Sequence, residues 1–255
     1  MIVRLVKESL RTLSVTTYHP LGWSLGWLHN RLRHQSLSEE ELRIEHNCPV
    51  LLVHGIFHNS TAFYAIERML KKNGFSKLSA LELWTSHRSI EHMANQLKAR
   101  VEELIEEHNT NGHEGKIRIV AHSLGGIVVR TALQDLNFAR RIDKVIFLGV
   151  PHQGNNLFFR LRYPRCVKQL SPHSNLMQSL TELPLPGGIQ YWNLRGTLDV
   201  VTPARETILP HIPNLYFEGV GHAGLLSATR VLQAILAILE TPLYDADLSG
   251  VKGTA

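Results

Sequence analysis

A serine lies where an apolar segment gives way to small residues and then to a helical pattern. The apolar run IRIV (117–120) is followed by AHSLGG (121–126). A tight strand-to-helix turn of this kind holds a serine hydroxyl out of the end of a sheet; the usual motif is G-x-S-x-G, here with Ala121 in the first position. We therefore predict that Ser123 is a nucleophile. The alternative is a serine that caps the following helix, because serine is also favoured there.

A serine nucleophile needs a base to remove its proton and an acid to orient that base. With this kind of serine turn the chain order is serine, then acid, then histidine. Six acidic residues lie between Ser123 and the last predicted helix: Asp135, Asp143, Glu182, Asp199, Glu206 and Glu218. Of these, Asp135 falls on the helix after the serine, and Asp143 in a polar turn at the wrong end of a strand. Asp199 follows a strand through a short turn and is the predicted acid. The alternative is an Asx-turn aspartate beside Pro203.

Two histidines follow Asp199 in the sequence. His211 lies between Pro210 and Pro213, whereas His222 follows a strand directly before the final helix. Only His222 is at the end of a strand that can meet Ser123, so it is the predicted base. The other thirteen histidines are interpreted as surface or turn residues. No HExxH or similar spacing indicates a metal site.

An oxyanion formed during acyl transfer needs hydrogen-bond donors already in place. One predicted donor is the backbone N–H of Leu124, the residue after the nucleophile. The second is the N–H of Ile56, in the loop after the first strand, where Gly55 allows a turn that aims the amide inward. The alternative for His54-Gly55 is an ordinary turn at the end of a strand.

A glycine-rich loop offers a competing interpretation of the same region. The segment GVGHAG (219–224) matches G-x-G-x-x-G, follows a strand and opens a helix, as a dinucleotide-binding turn does. That fingerprint also needs a second strand bearing an acid, and the sequence after Glu240 leaves no room for one. We therefore predict no cofactor, and interpret the glycines as letting the loop reach the serine.

Strand and helix patterns alternate from residue 47 onward, which indicates βαβ units and a parallel sheet with helices on both faces. The fold class predicted is therefore α/β, with about six strands, an N-terminal extension and a cap-like insertion. Reactive groups in such sheets lie at the carboxyl ends of the strands. The predicted strands are 49–53, 77–83, 117–121, 145–149, 191–194 and 215–217. The predicted helices are 61–72, 90–108, 124–138 and 225–239.

Two segments fall outside this alternation. Residues 1–46 form a predicted basic amphipathic extension with Trp23 and Trp27, and residues 47–255 form the main domain. An amphipathic helix of this kind either packs against the domain or, through residues 1–35, lies on an anionic membrane surface. The second segment, 152–188, contains four prolines and is predicted to be irregular. Its apolar and basic residues at 157–165 suggest a cover that meets lipid, with a solvated loop as the alternative.

Composition excludes several classes of protein. The chain has 255 residues, a net charge of +5 and two cysteines. A net charge of +4 falls within residues 1–35, and the remaining residues carry about as many acids as bases, so nucleic acid is not a favoured partner. Two cysteines are too few for a disulfide scaffold, and whether Cys48 and Cys166 pair is left open. No apolar run approaches the roughly 18 residues of a membrane span. The N-terminus lacks the pattern of a signal peptide, so we expect a cytoplasmic protein, with membrane contact open.

The chain resembles the α/β-hydrolase superfamily, and within it the small bacterial triacylglycerol lipases and related serine esterases. The resemblance lies in PVLLVHGIF, IRIVAHSLGG, LGVPHQG, RGTLDVVTP and GVGHAGLL, between about residues 49 and 226. It implies Ser123 as nucleophile, Asp199 as acid, His222 as base, and Ile56 and Leu124 as oxyanion donors. It also implies a structural or pocket-edge role for His152 and Gly154.

These features together predict a serine hydrolase of carboxylic esters. A lipase or phospholipase is favoured over a short-chain esterase, and the expected partner is an ester or lipid substrate. Two alternatives keep the same residues: an acyltransferase that passes the acyl group to an alcohol or amine, and a non-catalytic binding module on a hydrolase scaffold. Oligomeric state is left open.

Overall fold

The computed structural model describes residues 48–83, 85, 88–108, 116–155 and 165–240. The predicted extension 1–46, with its proposed membrane contact, lies outside these residues and stays a prediction. The same holds for most of the apolar and basic part of the insertion, 156–164. No helix within the described ranges is long and apolar enough to cross a membrane.

A six-stranded, wholly parallel sheet forms the centre of the molecule, in the order β2-β1-β3-β4-β5-β6. The prediction of a parallel α/β sheet is confirmed, and all six predicted strands are present within a few residues of their predicted ends. The strands are β1 Val50–Val53, β2 Leu78–Leu81, β3 Ile117–His122, β4 Ile142–Leu148, β5 Gln190–Gly196 and β6 Asn214–Phe217.

Helices cover both faces of the sheet because successive strand residues point to opposite sides. Leu51 and Val53 join one buried cluster with α2 and α3, and Val50 and Leu52 join another with α1 and α8. Every β1 residue is therefore buried, which explains the wholly apolar run. The helices are α1 Tyr64–Lys72, α2 Ile90–His108, α3 Leu124–Ala132, α4 Leu136–Ala139, α5 Arg165–Gln169, α6 Asn175–Glu182, α7 Ala204–Thr207 and α8 Thr229–Glu240.

Three sequence predictions about local structure are wrong. The single helix predicted over 124–138 is two helices, because the Asp135 carboxylate accepts the N–H groups of Asn137 and Phe138 and so begins α4. The insertion is partly helical rather than irregular, and α6 begins where Ser174 Oγ accepts the Met177 N–H at 3.1 Å. Asp143 lies inside β4 rather than in a turn, where it pairs with Arg118 Nε at 2.9 Å.

The register of the sheet decides where the functional residues meet. Val53 pairs with Ala121 across β1 and β3, and Leu148 pairs with both His122 and Leu194. The carboxyl ends of β1, β3, β4 and β5 therefore share one edge, and Gly196–Phe217 pairing brings β6 there too. The loops after β1, β3, β5 and β6 carry Ile56, Ser123, Asp199 and His222 respectively.

Candidate active site

Ser123 occupies a backbone conformation that few residues adopt. It follows β3 directly with φ 54° and ψ −126°, and it is 6% exposed. Its N–H donates to the Leu148 carbonyl at 3.0 Å, which extends the pairing of β3 with β4 into the turn. Its side chain makes no capping hydrogen bond to α3, so the alternative of a helix-capping serine is not supported. A strained, non-capping serine at a sheet edge is typical of a nucleophile turn.

Three positions around this turn require glycine, because neighbouring atoms leave no space for a Cβ. A Cβ on Gly125 would lie 2.4 Å from the Val53 carbonyl oxygen, and one on Gly126 would lie 2.2 Å from Val150 Cγ2. A Cβ on Gly55 would lie 2.8 Å from the Cβ of Ser123. The turn after β1 therefore packs directly against Ser123, and the first turn of α3 packs against the end of β1 and against Val150.

Asp199 and His222 form a buried ion pair or hydrogen bond at the same edge. His222 Nδ1 lies 2.8 Å from Asp199 Oδ2, with side chains 6% and 2% exposed. The Nδ1–H donates to the carboxylate, because a carboxylate oxygen can only accept. The two residues that the sequence predicts as acid and base are therefore brought together.

The Asp199 carboxylate is held by four donors. Its Oδ1 accepts the N–H groups of Val201 at 3.0 Å and Thr202 at 2.7 Å, and its Oδ2 accepts from His222 and lies 2.7 Å from Thr202 Oγ1. The Asx turn given as the alternative is present and uses Oδ1, whereas Oδ2 contacts His222, so the turn does not exclude the predicted acid role. Thr202 was not predicted as a site residue, and its hydroxyl also lies 3.2 Å from His222 Nδ1 and 3.0 Å from the Gly149 carbonyl. Its only sequence signal is its position three residues after the acid.

The loop that carries His222 is fixed against β3. The His122 ring lies 4.5 Å from the His222 ring, and His122 Nε2 donates to the His222 carbonyl at 3.3 Å. Since Ser123 follows His122 directly, this contact joins the segments of the predicted nucleophile and base. Proton transfer from Ser123 Oγ to His222 Nε2 stays a prediction.

The two predicted oxyanion donors flank the serine. Leu124 is the first residue of α3, so its N–H has no acceptor within the helix. Within the ranges that the structure describes, the Ile56 N–H has no hydrogen-bond acceptor either. The amino end of α3 adds the partial positive charge of the helix dipole, which favours a developing anion. That the two amides converge on a substrate oxygen stays a prediction.

Four histidines interpreted from sequence as surface or turn residues are buried: His54, His58, His122 and His152. Three of them lie around the site. The His58 and His122 rings stack at 5.5 Å, and His54 donates through Nδ1 to the Gly55 carbonyl and accepts the Leu83 N–H at Nε2. The burial of His54 and His122 was not predicted, because a histidine at the end of an apolar strand has no distinguishing pattern of its own.

Burial keeps two of these histidines neutral. Desolvation lowers the pKa of His122 well below 6.5, and His222 and His58 add to the effect. Desolvation likewise lowers the pKa of His152, with Arg130 contributing. A neutral His122 therefore adds no positive charge beside the His222 ring.

Neither cysteine is suited to act as a nucleophile. Cys48 and Cys166 are both free thiols, which answers the pairing left open by the sequence. Burial raises the pKa of Cys48 to about 11 and that of Cys166 to about 12. The thiolate, which is the reactive form, is therefore scarce at neutral pH.

A substitution at Gly149 tests the geometry of the Asp199–His222 pair. It has φ 56°, and a Cβ there would lie 2.8 Å from Leu225 Cδ1, 3.1 Å from Asp199 Oδ2 and 3.2 Å from His222 Nδ1. We expect Gly149→Ala to lower kcat for ester hydrolysis by about 10- to 100-fold, because the methyl group displaces the pair. The matched control is Gly187→Ala, where a Cβ meets nothing within 4 Å. Unchanged kcat in a folded Gly149→Ala variant would contradict the assigned geometry.

The fold is shared with solved lipases and a phospholipase. Lipase BlEst2 from Bacillus licheniformis in mature form has a TM-score of 0.66 at 18% identity, covering 78% of this chain and 95% of that one. Lipase B from Aspergillus fumigatus has a TM-score of 0.61 at 14% identity, covering 79% and 55%. Phospholipase PlaB from Legionella pneumophila has a TM-score of 0.62 at 16% identity, covering 76% and 59%.

These likenesses, with the parallel sheet, establish an α/β-hydrolase fold. The chain spans only about half the length of the propeptide form of BlEst2 and of the Aspergillus lipase, at 54% and 55%. At such low identity the structures establish the fold alone.

A family model gives a closer assignment. The model for palmitoyl protein thioesterase matches residues 49–193, which is more than half of the 255-residue chain. The matched part contains the turn after β1 and the Ser123 turn, and it ends before Asp199 and His222. On this match, the chain belongs to the palmitoyl protein thioesterase family.

Proposed function

We propose that this hydrolase cleaves carboxylic esters of lipids through an acyl-enzyme on Ser123. The observation that carries the proposal is the 2.8 Å contact between His222 Nδ1 and Asp199 Oδ2 at the sheet edge that also bears the strained Ser123. A histidine with its Nδ1–H held by a buried carboxylate is poised to accept a proton at Nε2.

In the proposed chemistry each of these groups has one role. Ser123 Oγ attacks the ester carbonyl carbon while its proton passes to His222 Nε2. The carbonyl oxygen becomes an oxyanion stabilised by the N–H groups of Ile56 and Leu124, and Asp199 stabilises the imidazolium. Collapse of the tetrahedral intermediate breaks the bond to the alcohol, which leaves with the proton from His222. Water, deprotonated by His222, then attacks the acyl-enzyme and releases the acid.

A lipid acyl group is supported by the comparisons, because the matching family model is that of palmitoyl protein thioesterase. The lipases and phospholipase that share the fold are consistent with an acyl substrate.

Thioester hydrolysis is the second candidate, and the family match favours it. The same mechanism applies, with a thiol in place of the alcohol as leaving group. A thiolate leaves more readily than an alkoxide, so the same residues can cleave a thioester without a further catalytic group.

The test measures hydrolysis of p-nitrophenyl esters from acetyl to palmitoyl, and of a palmitoyl thioester, with wild type beside Ser123→Ala. We expect activity that rises toward longer acyl chains and falls by about 10⁴-fold or more in Ser123→Ala. The matched control is Ser179→Ala, since Ser179 is exposed on α6. An inactive wild type, or equal rates in wild type and Ser123→Ala, would refute the proposal. Transfer of the acyl group to an added alcohol would identify an acyltransferase instead.

A further inference from the structure

The turn after β1 has a strained residue beside the predicted oxyanion donor. Phe57, which follows Ile56, has φ 57°. This left-handed conformation is unfavourable for an aromatic residue and persists only where the surroundings hold it. The hydrogen bond that closes the turn, from the His58 N–H to the Gly55 carbonyl, is long at 3.4 Å. The turn therefore depends on contacts from outside itself.

One such contact comes from Thr85. The Phe57 N–H donates to Thr85 Oγ1 at 3.2 Å, and Thr85 is completely buried. Thr85 lies close to the turn because β2 pairs with β1, with Val53 opposite Leu81. The segment is also fixed from the other side, since Cys166 Sγ of α5 donates to the Thr85 carbonyl at 3.0 Å. A buried hydroxyl on a fixed backbone is thus aimed at the amide of the strained residue.

The Thr85 hydroxyl affects the orientation of the Ile56 N–H, the predicted oxyanion donor. The peptide plane that carries the Phe57 N–H and the plane that carries the Ile56 N–H meet at the Ile56 Cα. Holding one plane restricts the rotation of the other. An oxyanion donor must lie within about 2.7–3.1 Å of the position that the oxyanion will occupy, so a small rotation of the Ile56 amide weakens it.

We propose that Thr85 is a positioning residue for the oxyanion-binding turn: its hydroxyl accepts the Phe57 N–H and so fixes the orientation of the Ile56 N–H. Thr85 does not touch the reacting atoms. The inference rests on the proposed function, because it assumes that Ile56 stabilises an oxyanion formed at Ser123. An interaction used only in the transition state changes kcat and leaves KM unaltered.

The test compares Thr85→Val, which keeps the shape but removes the hydroxyl, with Thr85→Ser, which keeps the hydroxyl. With a p-nitrophenyl ester we expect Thr85→Val to lower kcat about 10- to 100-fold, with KM within about twofold of wild type. We expect Thr85→Ser to retain kcat within about threefold. The matched control is Thr131→Val, which also loses a hydroxyl-to-backbone bond, to the Ile127 carbonyl at 2.9 Å, on the outer part of α3. It should behave as wild type.

Hydrogen exchange gives a measurement that does not depend on turnover. In Thr85→Val, but not in Thr131→Val, the amides of the 54–58 segment should exchange faster than in wild type. Normal kcat in Thr85→Val, an equal loss of kcat in Thr85→Ser, or unchanged exchange in this segment would overturn the proposal. A drop in melting temperature without a drop in kcat would overturn it as well, because Thr85 would then be only structural. A wild type that hydrolyses no ester would overturn both the proposed function and this inference, whereas an active wild type with an unaffected Thr85→Val would overturn only the inference.

Discussion

Replacing Asp199 by asparagine is expected to lower kcat for ester hydrolysis by about 10⁴-fold without unfolding the protein. The reason lies in the donors around the carboxylate. Two backbone N–H groups, from Val201 and Thr202, point at Oδ1 from 3.0 and 2.7 Å. They hold the amide oxygen of an asparagine at the Oδ1 position, so its NH₂ group must take the Oδ2 position.

An NH₂ group at that position faces His222 Nδ1, which lies 2.8 Å from Oδ2 in the native site. Two donors cannot share this contact, so the imidazole must accept at Nδ1 and carry its proton on Nε2. A protonated Nε2 cannot remove the Ser123 proton. Because the backbone contacts of the Asp199 turn fix the orientation of the asparagine, this small substitution forces His222 into the wrong tautomer.

The measurement is kcat and KM on a p-nitrophenyl ester, with circular dichroism to verify the fold. Asp135→Asn is the matched control. Asp135 caps α4 through its side chain, and asparagine caps a helix as well as aspartate does. Asp199→Asn retaining more than about a hundredth of wild-type kcat would exclude Asp199 as the residue that orients the base.

The protein is expected to lose stability steeply below pH 6.5, because two histidines are buried in the neutral form. Burial lowers the pKa of His122 and of His152 well below the value of 6.5. In the unfolded chain both titrate near 6.5, so the unfolded state binds more protons than the native state as pH falls below that value. Their contribution to stability is complete above pH 6.5 and is lost as pH decreases.

Two such groups give a slope of about 2.7 kcal/mol per pH unit in the free energy of unfolding, or about 1.4 for each. We expect this fall in the free energy of unfolding between pH 6.5 and about 5, which is above the range where carboxylates titrate. Urea unfolding at several pH values measures the slope directly. His152→Leu, which removes one buried imidazole, should halve it.

The control for this experiment is His92→Asn, because His92 is exposed on α2 and should leave the slope unchanged. A wild-type free energy of unfolding that stays flat from pH 7 to pH 5.5 would contradict the prediction. So would an unaltered slope in His152→Leu, since that residue would then not be a source of the proton uptake.

Local patterns predicted the strands and helices well where burial of apolar side chains alone sets the pattern. The apolar run at β1 is buried on both faces, and the long amphipathic pattern gave the bounds of α2, Ile90–His108, as the structure has them. The interruption at Asp135 was missed because apolar spacing continues through it, although a capping aspartate was a signal present in the sequence. The helices of the insertion were missed because prolines dominated its composition.

The contacts of a buried polar residue such as Arg130 could not be predicted from the sequence. Arg130 is buried without a carboxylate partner among the described residues, and its guanidinium donates to the carbonyls of His152 and Leu180. Burial lowers its pKa to about 10. Nothing in the local sequence distinguishes this arginine from one on a helix surface, because its partners lie 22 and 50 residues away.

Local patterns were enough to predict the six strands in chain order, the glycines of the serine turn, and Ser123, Asp199 and His222 in that succession, because burial and backbone conformation act over a few neighbouring residues. The three-dimensional contacts were needed to find which oxygen of Asp199 faces His222, that Thr202 and Thr85 bond to the loops of the site, and that four histidines besides His222 are buried. These depend on hydrogen bonds between separate loops, and their geometry is set by the packing of the whole sheet.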